Sequence, residues 1–141
     1  MTATRLAALG SVVVLVAAGV ALAKEIRPGQ LRVCNDAKCP AIFDRGALKA
    51  FSAFYWGSGP VRRAPAPARR APAFTLMLGN DYVIGVAAGP RLDRVLVYGI
   101  YCERFQRAVW YRLPNRAAMG LRRLTAGLAP QRVPRRLPPS C

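Results

Sequence analysis

Histidine is absent from the 141-residue chain. That removes imidazole catalysis, histidine metal ligands and any histidine pH switch. Acidic side chains are scarce. Six Asp and Glu stand against 22 Lys and Arg, for a formal charge of +16. Lysine is scarce as well, since Arg supplies 19 of the 22 basic residues. Ala, Gly, Pro and Arg together dominate the composition, and GC-rich codons favour all four. The choice of Arg over Lys therefore has a genomic explanation. The shortage of acids does not, because GC content does not penalise them and ordinary chains balance the two signs.

Catalytic motifs are missing too. A nucleophile needs a base beside it. Without histidine the base would be Lys, Asp or Glu. The hydroxyls beyond the first 23 residues are Ser52, Ser58, Ser140, Thr75 and Thr125. No S-x-x-K occurs, and Gly57-Ser58-Gly59 is not a G-x-S-x-G elbow. The carboxylates are Glu25, Asp36, Asp44, Asp81, Asp93 and Glu103. Asp44 suits a helix cap, Asp81 a turn, and Glu103 an ion pair with Arg104. No G-x-x-x-x-G-K-[ST] loop is present. The expectation is a protein without catalytic activity and without a cofactor.

What is there begins with a targeting segment. Arg5 gives a short positive start, and Leu6 to Ala23 carries no charge. The run ends in Ala21-Leu22-Ala23, the small-x-small pattern of a signal peptidase site. Residues 1–23 are expected to be a cleaved signal peptide. An uncleaved single-pass membrane anchor is the alternative, because the run is short but possible for a span. Removing it costs the chain a single Arg and leaves a sequence of one-domain length.

Cys34, Cys39, Cys102 and Cys141 lie beyond that segment. Export places them where disulfides persist. Four cysteines allow three connectivities. The preferred pairing is Cys34–Cys39 and Cys102–Cys141. The hexamer Cys34-Asn-Asp-Ala-Lys-Cys39 holds turn-forming Asn and Asp, and a bond to Cys102 would pin the terminal Cys141. On the chain-entropy model a loop near 40 residues is worth roughly 4 kcal/mol and a six-residue loop about 2 kcal/mol. A zinc site wants two close pairs and a redox pair wants C-x-x-C, so neither fits as well.

Periodicity orders the rest. Residues 31–33 suit a short strand. Asp44 is placed to cap a helix over 45–56, with Ala47, Leu48, Phe51, Phe54 and Tyr55 on one face. Arg45, Lys49 and Ser52 fall on the other, and Gly57-Ser-Gly-Pro60 stops it. Residues 60–73 repeat Arg-Arg-Ala-Pro-Ala at 62–66 and 69–73. Four prolines forbid a helix there, so the segment is expected to be a polyproline-like or disordered loop carrying four positive charges. It is either a solvated linker or a cationic arm.

Four strands follow, at 74–78, 82–86, 94–102 and 108–113. Gly79-Asn80-Asp81 signals a hairpin and Ala88-Gly89-Pro90 a second turn. Asn115 is expected to cap a second helix over 116–126, with Gly127 at its end. The domain is taken as 24–127, and 128–141 as an irregular Pro/Arg-rich tail. The predicted fold class is α+β: an antiparallel four-stranded meander packed with one or two helices and stabilised by disulfides. The helix-then-meander order resembles cystatin-like folds in architecture. The Q-x-V-x-G inhibitory loop of cystatins is absent.

Charge remains. From Arg104 to Cys141 there are nine Arg and no acid. Export argues against nucleic acid as the partner and favours an anionic lipid, an acidic polymer or an acidic protein. The residues expected to bind the anion are Arg122, Arg123, Arg132, Arg135 and Arg136. The alternatives are a small-ligand carrier with a pocket between the first helix and the sheet, and a hydrolase without recognisable motifs.

Overall fold

The computed structural model describes residues 25–98, 104–105 and 109–135. The expected signal segment, Cys102, Cys141 and Arg136 lie outside the described residues. So do the last residues of the strand expected at 94–102.

Five strands form one antiparallel sheet in sequential order: β1 (Leu31–Cys34), β2 (Ala73–Leu78), β3 (Tyr82–Ala88), β4 (Arg94–Val97) and β5 (Trp110–Arg112). The class is α+β as expected. The sheet has five strands because β1 pairs with β2, Leu31 opposite Leu78 and Cys34 opposite Thr75. Two helices, α1 (Arg45–Trp56) and α2 (Asn115–Thr125), cover one face.

The core on that face follows from the alternation of the strands. Leu31 and Val33, Phe74 and Leu76, Val95 and Val97, and Tyr111 all point into it. A bulge between Leu76 and Met77 inserts Ile84 as an extra residue opposite them. Ile84 thereby joins the same core and is fully buried. From α1, Ala47, Leu48, Phe51, Phe54 and Tyr55 enter it as their periodicity predicts. The Asp44 carboxylate accepts from the amides of Gly46 (2.8 Å) and Ala47 (3.2 Å), the expected cap.

Four expectations need correction. Ser52 is buried rather than solvent-facing, because residues 25–28 run alongside α1. Its hydroxyl donates to the Leu48 carbonyl (2.8 Å) and accepts from the Ile26 amide (2.8 Å). Asn115 is the first residue of α2 rather than its cap. Pro114 holds the cap position at φ −55°, ψ 142° without a side-chain hydrogen bond, because β5 leads straight into the helix. Segment 60–73 is not a free arm, and the tail is not wholly irregular. Both are bonded into the sheet, as the next subsection describes.

The Cys34–Cys39 disulfide is formed. It closes a loop in which the Asn35 carboxamide oxygen accepts from the amides of Ala37 (2.9 Å) and Lys38 (2.6 Å). Beyond it the chain returns along β1. The Val33 amide donates to the Pro40 carbonyl (2.9 Å) and the Ile42 amide to the Leu31 carbonyl (2.8 Å).

Candidate anion-binding face

The sheet face away from the helices carries a smaller apolar cluster: Ala73, Val86, Ala88, Leu96 and Trp110. The strand registers align one row across it. Arg112 stands opposite Arg94, Arg94 opposite Ala88, and Ala88 opposite Ala73. Directly opposite residues share a face.

Two additions lengthen the row. On the outer side of β5, Arg63 bridges Tyr111, and the Arg112 amide donates to the Arg62 carbonyl (2.7 Å). Arg62 therefore stands next to Arg112. On the other side, Gln131 bridges Ala73 through both backbone bonds, at 3.1 and 2.8 Å. The row thus runs Arg62, Arg112, Arg94, Ala88, Ala73, Gln131.

The segment after Arg62 crosses this row as a strap. The Ala64 amide donates to the Trp110 carbonyl (2.9 Å), and Arg94 Nη1 donates to the Pro65 carbonyl (3.3 Å). Pro67 is buried. Past a turn closed by the Ala71 amide on Ala68, the Pro72 carbonyl accepts from Gly89 (3.0 Å). The two alanines of the row, Ala88 and Ala73, leave room for a chain above them. Arg62, Arg63, Arg69 and Arg70 remain exposed on the outside.

The electrostatics are one-sided. Arg94 and Arg112 are like charges directly opposite on neighbouring strands, an arrangement that costs a few tenths to about 1 kcal/mol. Asp93 answers one of them, its carboxylate 2.9 Å from Arg112 Nη1. Leu92 places Asp93 there. It adopts φ 51°, in the left-handed region, with its side chain buried. Arg94 Nε is buried and meets no acceptor among the described residues. A pocket of about 280 Å³ adjoins the Arg62 end, floored by Phe54, Val61 and Leu113 and rimmed by Arg62, Arg104 and Arg112.

The five arginines expected to bind the anion separate. Arg132 follows Gln131 at the end of the row, and Arg135 is exposed three residues on. Arg136 lies outside the described residues. Arg122 donates to the Arg91 carbonyl (2.7 Å) at the β3–β4 turn. Arg123 lies in the helix layer, 3.9 Å from Asp44. The tail is tied by Gln131, whose side chain accepts from the Thr75 hydroxyl (2.8 Å) and donates to Asp36 (2.8 Å), and by Asn35 donating to the Ala129 carbonyl (2.9 Å). Arg62, Arg94 and Arg112 were missed. The signal was present in Trp110-Tyr111-Arg112 and Arg94-Val95, where alternation sends each Arg to the face opposite a core residue. Their pairing across strands was not readable.

Elsewhere, Arg104 is structural. Its guanidinium donates to the carbonyls of Phe54 (2.7 Å) and Gly57 and stacks over Phe105, closing the C-terminal end of α1. Burial pulls its pKa below the ordinary range. The space between α1 and the sheet, where a carrier pocket would lie, is packed by Phe51, Leu76, Ile84 and Val95. A groove of about 330 Å³ opens instead on the outer flank of α1, between Glu25–Pro28 and Lys49. Among the described residues no three His, Cys, Asp or Glu side chains gather as a metal site, and no helix is long and apolar enough to cross a membrane. No family model, no curated protein and no solved structure matches the chain.

Proposed function

We propose that this protein is exported and acts by binding, without catalysis, holding an anionic component of the cell envelope against the arginine face. The observation that carries this reading is the juxtaposition of Arg62, Arg112 and Arg94 on three adjacent lanes, with Asp93, paired to Arg112, the one carboxylate among the described residues that answers them. Such crowding costs stability in the free protein and is relieved when an anion sits on it. Guanidinium groups take phosphate and sulfate oxygens in bidentate fashion. The Cys34–Cys39 bond supports export, since disulfides persist in oxidising compartments.

The test is retention on a sulfated column. Neutralising Arg62, Arg63, Arg69 and Arg70 together to Gln should lower the salt needed for elution, with thermal stability near that of the parent because all four are exposed. Neutralising Arg132, Arg135 and Arg136 should do the same to a smaller extent. Elution of both variants at the parent's salt concentration would show the charge to be a solvated surface and end the proposal.

A further inference from the structure

We infer that the ligand is an extended polymer bearing phosphate or sulfate groups, lying across the strands from Arg62 to the tail at Gln131. This rests on the anion-binding reading above and adds the ligand's shape and class. The row spans six lanes, from the strap beside β5 through β4, β3 and β2 to the tail at Gln131. Five interstrand steps of about 4.8 Å make it about 24 Å long.

Charge is carried along that length. Arg62, Arg112 and Arg94 occupy the first three lanes. The next two hold Ala88 and Ala73, and there the strap supplies the cations. Arg69 and Arg70 lie between Pro65, held by the Arg94 side chain, and Pro72, held at the end of β3 by Gly89. The row ends at the tail on Gln131, and alternation turns Arg132, between Gln131 and Val133 of that face, to the other side. A linear polyanion meets a cation over nearly every lane. A single phosphate group would use only one end.

The other large anionic partners fit less well. An interfacial protein inserts apolar side chains into the bilayer. The large apolar side chains exposed among the described residues are Phe43, Tyr82, Val83 and Met119, and none belongs to the row, strap or tail. Single-stranded nucleic acid wants aromatic faces on which bases stack. Trp110 and Tyr111 are each 6% exposed, and Tyr98, packed on the row's face, is half-buried, so no run of open aromatic faces lines the row.

The experiment uses the oxidised chain and linear polyphosphates of graded length, from tripolyphosphate upward, titrated calorimetrically at fixed salt. Affinity should rise with length until the polymer spans the row and then level off. The salt dependence should steepen in parallel, because each added contact releases counterions. Three variants locate the site. Arg62→Gln with Arg94→Gln and Arg112→Gln should weaken long-chain binding on the order of tenfold, through the loss of charge-assisted contacts. Arg69→Gln with Arg70→Gln, exposed residues whose loss leaves the fold intact, should weaken it several-fold. Arg45→Gln with Lys49→Gln and Arg123→Gln, on the helix layer, should change it less than about twofold, as expected of distant surface charges.

Tripolyphosphate binding as tightly as long chains would overturn the extended ligand. Equal losses in the row and helix-layer variants would overturn the location. Tighter binding to anionic phospholipid vesicles or single-stranded DNA than to long polyphosphate would replace the polymer with that partner. In each of those cases anion binding itself survives. Absence of binding to polyphosphate, sulfated matrix and vesicles alike would overturn both proposals.

Discussion

Arg104 sits in a stretch whose charge suggests a binding surface, yet its guanidinium is spent on two carbonyls at the end of α1. Those carbonyls belong to the last turn and to its Gly57 cap, and the last turn has no basic residue of its own. Arg104→Ala should therefore destabilise the fold by about 1–3 kcal/mol, the worth of hydrogen bonds from a charged donor, as read from denaturant midpoints. Arg104→Lys should rescue only part of that loss, since a point charge does not span both acceptors as a planar fork does. Tyr98 is tuned in another way. Burial pushes its phenol above the ordinary range near 10. Its folded pKa is the higher one, so the neutral phenol's contribution is complete below the unfolded pKa and is lost as pH rises through the folded one. Tyr98→Phe should flatten the fall of stability at alkaline pH. An equally steep fall in that variant would assign the effect to other groups.

At the scale of elements, the two helices meet at small side chains. A Cβ added at Gly120 would stand 2.5 Å from the Cβ of Ala47. Gly120→Ala should force the helices apart and cost about 1–3 kcal/mol despite the better helix propensity of alanine. Ala47→Gly in the same chain should recover a large part, measured as a double-mutant cycle. The bounds of α1, its Asp44 cap and its buried stripe were legible in the sequence because they are local: spacing, a capping side chain and a glycine stop. The hairpin at Gly79–Asp81 was legible for the same reason. The β1–β2 pairing was not, since it joins residues more than forty positions apart and leaves no periodic trace. Nor was the tail. Gln131 stands in a proline-rich stretch with no periodicity, and only the fold shows it pairing with Ala73 and reaching Asp36. The disulfide loop and the tail should consequently loosen together. Reducing Cys34–Cys39 removes about 2 kcal/mol of loop constraint and frees Asn35 and Asp36 from the tail. Hydrogen exchange should then quicken at the amides of Gln131 and Ala73 while the α1 amides stay protected. Unchanged exchange at Gln131 would show that the tail holds without the loop.

For the whole molecule, the candidate face was half legible. Composition gave its sign, and alternation gave the direction of Arg94 and Arg112. Assembly into one row depended on registers, a strap and a tail that meet only in the fold. The same strap and the disulfide hairpin have another effect. A sheet's outermost strands expose unpaired amides and carbonyls that a neighbouring molecule can adopt. Here Arg62–Ala64 occupies the border at β5, and Pro40–Ile42 occupies the border at β1. Neither strand is left to template a second copy, and the net charge of +16 repels one. Concentrated protein should stay free of fibrils, followed by thioflavin fluorescence. Opening the β1 border, by reduction together with Pro40→Gly, should permit growth once a polyanion has screened the charge, so the ligand that the face holds would become a nucleating agent for the unsealed chain.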